Sequence, residues 1–118
     1  MSEIQIYHNP RCSKSRETLA LLREQGQEPT IIEYLKQAPT KEQLQEIVTL
    51  LGMESPRQLM RTKEAEYKEQ NLADGSLTYD QLLDAIVATP KLMERPVVLT
   101  NGKARIGRPP ESVLEILA

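Results

Sequence analysis

The chain has no tryptophan, no phenylalanine, one cysteine and one histidine, and each shortage excludes something. Without a second cysteine there is neither an intramolecular disulfide nor a self-contained dithiol couple, so any redox turnover through Cys12 borrows a thiol from another molecule. One cysteine and one histidine are too few for a closed zinc site made of those ligands, and no metal is expected. An aromatic content of 3% offers few platforms on which single-stranded nucleic acid stacks. No stretch approaches the roughly 18 consecutive apolar residues of a membrane span, and the amino terminus lacks the regions of a signal peptide. The expectation is a cytoplasmic protein with no nucleic-acid partner and no membrane partner.

What is present suits a single domain over residues 1–118. The chain is 39% hydrophobic and 27% charged, an ordinary globular composition whose core must rest on Leu, Ile, Val and Met. The net charge of −2 is unevenly divided: residues 1–25 carry four basic and three acidic groups, residues 26–90 six and eleven, and residues 91–118 five and three. If the two ends pack together they form a mildly cationic face suited to a small anion.

The pattern of residues divides the chain into elements. Ile4, Ile6 and Tyr7 read as a strand, His8-Asn9-Pro10-Arg11 as a loop, and the chain turns helical from Ser13, with Leu19, Ala20, Leu21 and Leu22 supplying the buried face until Gly26 caps it. Thr30 to Tyr34 reads as a second strand, and such a strand-helix-strand unit normally closes with its strands parallel, leaving Cys12 at a strand's carboxyl end, where these sheets hold ligands. The middle is helical. Thr40/Gln43, Ser55/Gln58 and Thr78/Gln81 are three possible capping boxes, and Leu44, Ile47, Val48 and Leu51, then Leu82, Leu83, Ile86 and Val87, form apolar stripes at helical spacing. Lys63 to Asn71 is very polar and reads as an exposed helix or loop. Val97-Val98-Leu99-Thr100 and Lys103-Ala104-Arg105-Ile106 flank Asn101-Gly102, a strong hairpin signal. Pro109-Pro110 opens a last short helix whose Val113, Leu114 and Leu117 are expected to cover the sheet. This order is that of a thioredoxin-like α/β domain: a mixed four-stranded sheet with a helical insertion, about 40–92, between strands 2 and 3.

The chemistry centres on Cys12. A free thiol titrates near 8.5, and a helix amino terminus with neighbouring cations lowers that to about 3.5–7.5. Cys12 precedes a helix whose first turn carries Lys14 and Arg16, where the helix dipole favours acids instead. A cysteine is often a buried space-filler, but Arg11, Ser13 and Lys14 are not apolar neighbours. His8 reads equally as a solvated or capping residue and as a tuner of the thiolate. Phosphatase-type loops place Arg six positions after the cysteine, where this chain has Thr18. Dithiol enzymes need Cys-x-x-Cys, where it has Cys12-Ser13-Lys14-Ser15. A monothiol mechanism remains.

The blocks His8-Asn9-Pro10-Arg11-Cys12-Ser13-Lys14-Ser15-Arg16, Leu59-Met60-Arg61, Arg95-Pro96-Val97 and Ile106-Gly107-Arg108-Pro109-Pro110 occur in the order found in the glutaredoxin-linked arsenate reductases, a family of thioredoxin-like fold that the chain resembles from end to end, in a compact branch. The resemblance implies that Cys12 attacks arsenate, that glutathione is a co-substrate and reduces the adduct, and that glutaredoxin resolves the thiol adduct, with no bound cofactor. It implies substrate binding by Arg61, Arg95 and Arg108, thiolate tuning by His8 and Ser15, and support from Asn9, Arg16 and a commonly cis Pro96. Several planar donors suit a multiply charged tetrahedral anion that must meet an anionic nucleophile. Two alternatives stay open. Redox-sensing regulators that bind RNA polymerase share the fold but typically carry Cys-x-x-Cys, and another thiol-linked substrate would use the same site.

Overall fold

Strand β1 (Gln5–Tyr7) leads through a loop into helix α1 (Ser13–Glu24) and back to β2 (Thr30–Ile32). The computed structural model describes residues 4–117 and forms two compact units, one built from the chain up to Gln37 and from Arg95 onward, the other from Ala38–Glu94. In the first unit β1 pairs with β2 in parallel and with β3 (Val97–Thr100) antiparallel, and β3 pairs antiparallel with β4 (Lys103–Ile106), giving the order β2-β1-β3-β4. This is the expected thioredoxin-like mixed sheet, with the helical insertion between strands 2 and 3. Asn101 and Gly102 make the hairpin turn with φ of 54° and 70°, the left-handed backbone that a two-residue turn needs to match the strand twist. A core of Ile4, Ile6, Leu19, Leu22, Val98, Val113 and Ile116 joins β1, α1, β3 and the carboxyl-terminal helix.

Three local expectations are corrected. On α1 the buried residues are Ser15, Thr18, Leu19 and Leu22, one stripe at offsets of three, four and seven, and Ala20 falls off it into solvent. Ser15 and Thr18 tolerate burial because their hydroxyls are bonded, to His8 and to the Lys14 carbonyl respectively. Strand β2 ends at Ile32, before Glu33 and Tyr34, although Tyr34 is still buried. The last helix is of 3₁₀ type over Pro110–Ile116. At three residues per turn Pro110, Val113 and Ile116 share one face, so Ile116 is buried, Leu114 is 38% exposed and Leu117 is only partly buried.

The second unit contains α2 (Lys41–Leu50), a 3₁₀ turn at Pro56–Leu59, α3 (Ala65–Glu69), α4 (Tyr79–Ala88) and a 3₁₀ turn at Pro90–Leu92. All three capping boxes form, that of Ser55 and Gln58 on a 3₁₀ turn, each hydroxyl cap contributing about 1 kcal/mol. Leu44, Ile47 and Val48 of α2 and Leu82, Leu83 and Ile86 of α4 are buried as the periodicity requires, with Leu51 and Val87 half-buried at the margins. The polar stretch Lys63 to Asn71 holds the short α3, anchored by a buried Tyr67. Met60 and Met93, both buried, face each other across an isolated antiparallel bridge.

Candidate active site

The loop between β1 and α1 is fixed before any side chain is considered. His8 N–H donates to the Ile32 carbonyl at 2.8 Å, prolonging the β1–β2 ladder, and Cys12 N–H donates to the Asn9 carbonyl at 3.0 Å. Two residues expected to support the site bond to the backbone of this loop: Asn9 Oδ1 accepts from Arg11 N–H, and Arg16 Nη1 donates to the Pro10 carbonyl, each at 3.0 Å. Cys12 then occupies the N-cap of α1 with extended backbone, φ −93° and ψ 124°.

Ser15 links the loop to the helix. Its Oγ accepts from Asn9 N–H at 3.0 Å and lies 2.6 Å from His8 Nδ1. Burial lowers the pKa of His8; Glu33 opposes the shift, and Arg23 and Arg16 add to it. A neutral imidazole with its proton on Nε2 accepts the Ser15 hydroxyl proton at Nδ1, leaving Ser15 Oγ to accept from Asn9.

The thiol itself is 9% exposed. Burial is the largest influence on it and acts upward, but the Ser15 N–H, the Arg95 charge, the Lys14 N–H and the Arg108 charge together bring its pKa below the ordinary value. The sulfur makes no full capping hydrogen bond, so the two amides act on it as oriented dipoles. Arg108 Nη2 stands 3.7 Å from Sγ, and its Nε donates to the Arg95 carbonyl at 2.9 Å. Arg95 is itself 9% exposed, and its Nε and Nη1 have no hydrogen-bond partner among the described residues. Buried guanidinium groups are normally matched by acceptors. Here the thiol, when ionised, supplies one counter-charge, and Nε and Nη1 are left over for an acceptor that the described residues do not provide.

The cations acting on the thiol are not those nearest in sequence. Lys14 reaches Glu17 at 3.5 Å, with both side chains about half exposed, and Arg16 is committed to Pro10. Arg95 and Arg108 arrive instead from the other end of the chain. Arg61 lies in the helical unit, where it pairs with Glu64 at 2.5 Å and with Glu94 at 3.7 Å. The Arg95–Pro96 peptide is cis, and so is Arg108–Pro109, which no sequence signal marked. Gly107 carries one hint in the sequence, its place between Ile106 and Arg108 in a motif block.

A thioredoxin-like sheet with one thiol at the start of its first helix and arginines from beyond β2 gathered beside it defines a narrow class of protein. The ArsC family model matches residues 7–116. The uncharacterized protein YfgD of Escherichia coli is 59% identical over 98% of this chain and 97% of its own length. An arsenate reductase of Haemophilus influenzae is 52% identical over 95% of this chain and 97% of its own. The solved structure of an arsenate reductase from Vibrio cholerae superposes with a TM-score of 0.95 at 55% identity, covering 98% of both chains. The chain belongs to the ArsC family.

Proposed function

We propose that this protein reduces arsenate to arsenite through a covalent Cys12 adduct, with glutathione as co-substrate and glutaredoxin as the partner that resolves the thiol adduct. The observation that carries the reading is the pairing of a thiol biased toward its anion with the buried Arg95 guanidinium, which keeps two unused donors beside it. An anionic nucleophile and an anionic substrate repel each other, and fixed cations remove that barrier. Arg108, within 3.7 Å of the sulfur, serves both partners in turn. Arg61 enters on the Leu59-Met60-Arg61 motif alone, since its guanidinium is already paired with carboxylates. The names of the relatives support the substrate.

The step balances only with thiols from outside. Cys12 sulfur displaces an oxygen of arsenate as water, a glutathione thiol delivers the second sulfur, and arsenic gains two electrons as the two sulfurs join. Arsenite leaves, and glutaredoxin reduces the resulting Cys12–glutathione disulfide. One cysteine in the chain fits this division of labour.

The test is NADPH consumption coupled through glutathione and glutaredoxin, with and without arsenate. Arsenate-dependent turnover that Cys12→Ser abolishes, and that Arg108→Leu slows or shifts to higher arsenate, is expected. Turnover on glutathione mixed disulfides but none on arsenate would contradict the substrate, and arsenate turnover that survives Cys12→Ser would contradict the mechanism.

A further inference from the structure

Gly107 sits where β4 ends, between the strand and Arg108. Its N–H donates to the Pro96 carbonyl at 2.9 Å, one residue beyond the Val97–Ile106 pair, so its backbone is held to the residue that follows Arg95. Its α-carbon is packed against α1. A β-carbon added at Gly107 collides with Thr18 Oγ1, comes within 2.8 Å of Pro96 Cγ and within 3.1 Å of Thr18 Cγ2. This glycine shows no left-handed φ, so it is needed for close approach and not for a turn. On the other side of the contact, Thr18 is wholly buried and its Oγ1 donates to the Lys14 carbonyl at 2.8 Å. Thr18 therefore bears on Lys14, one turn back toward the N–H groups of Lys14 and Ser15 that face the sulfur.

We propose that Gly107 and Thr18 are positioning residues: their direct packing, with the Pro96 ring as the third wall, sets how closely the Arg95 and Arg108 guanidiniums approach the thiol at the start of α1. Pro96 follows Arg95 and Gly107 precedes Arg108, so each of these two residues adjoins one arginine. A methyl group at 107 has no room, so something must shift, and because Thr18 and Pro96 are both buried the expected shift is of the end of β4 away from α1, taking Arg108 with it. The contact thus converts strand-to-helix packing into a distance between charge and nucleophile. The dependence is steep because charge–charge energies in a partly buried site change strongly over an ångström or two.

The inference rests on Cys12 being the working thiol. Alkylation reads that thiol without arsenate, so a wrong substrate leaves the test intact. The experiment is a double-mutant cycle on the full chain: wild type, Gly107→Ala, Thr18→Ala and the double variant, each followed by the pH profile of Cys12 alkylation and by thermal unfolding. Gly107→Ala is expected to move the profile toward an ordinary thiol, cutting the rate at pH 7 by roughly threefold or more. In the Thr18→Ala background, where two of the three obstructing atoms are gone, the same change has a clearly smaller effect. If Gly107→Ala alone does not fold, recovery of a folded protein by the double variant supports the contact. A folded Gly107→Ala with the wild-type profile overturns the inference. So does a double variant no better than the single one in both folding and profile.

Discussion

Arg95 is the residue at which stability and chemistry part. Its side chain is buried with two nitrogens unmatched, and a charge in that condition burdens the fold, because desolvation of an ion costs several kcal/mol when its acceptors are missing. Arg95→Leu is therefore expected to unfold at the same temperature or higher, with a gain of up to about 2 kcal/mol, while arsenate-dependent turnover falls by about tenfold or more. A large loss of stability would mean that the guanidinium is structurally satisfied and not held in reserve. His8 gives a second, independent test. Its folded-state pKa is lowered, by burial first, so below its unfolded value of about 6.5 the unfolded chain binds more proton than the folded one. Stability then falls as pH drops through that window. Between pH 7.5 and 5.5 the urea midpoint of wild type should drop further than that of His8→Gln. Equal drops would show that His8 takes up its proton as readily in the fold as in the unfolded chain. Cys12 was legible because the chain offers no other thiol. Of the cations around it, Arg95 and Arg108 were legible only through the resemblance, because sequence distance points to Lys14 and Arg16 while the Coulomb energy depends on separation in space.

At the scale of elements, what the sequence announced was local chemistry. Thr40/Gln43, Ser55/Gln58 and Thr78/Gln81 form their boxes, and Asn101-Gly102 its turn, because each signal is complete within four residues. The last helix forms where expected, but its buried face differs for a reason that is equally local: Pro at its start is compatible with α and 3₁₀ geometry alike. The two geometries bury different residues, which makes the difference measurable. Ile116→Ala should cost about 2–4 kcal/mol as a core truncation, and Leu114→Ala less than about 1 kcal/mol as a surface change, in chemical unfolding. The opposite ranking would restore the face expected from the sequence, with Leu114 against the sheet. The burial of Ser15 and Thr18 had no such signal, since a polar residue on a helix is assigned to solvent until its tertiary partners are known.

Over the whole molecule, the sheet unit is assembled from both ends of the sequence, bringing Cys12 and Arg108 together across 96 positions. That closure was foreshadowed by the strand pattern, and it brings together two ends that are each net basic, the middle being net acidic. In the proposed function that closure turns two weakly basic segments into one anion-seeking site, and the single cysteine makes the chain one participant in a thiol relay. All of this depends on the sulfur being an anion near neutral pH. The direct measurement is the rate of Cys12 alkylation against pH on the reduced wild-type chain. The expected midpoint lies clearly below the free-cysteine value of about 8.5, and Arg95→Leu moves it upward. A midpoint at or above that value would contradict the site from its first step.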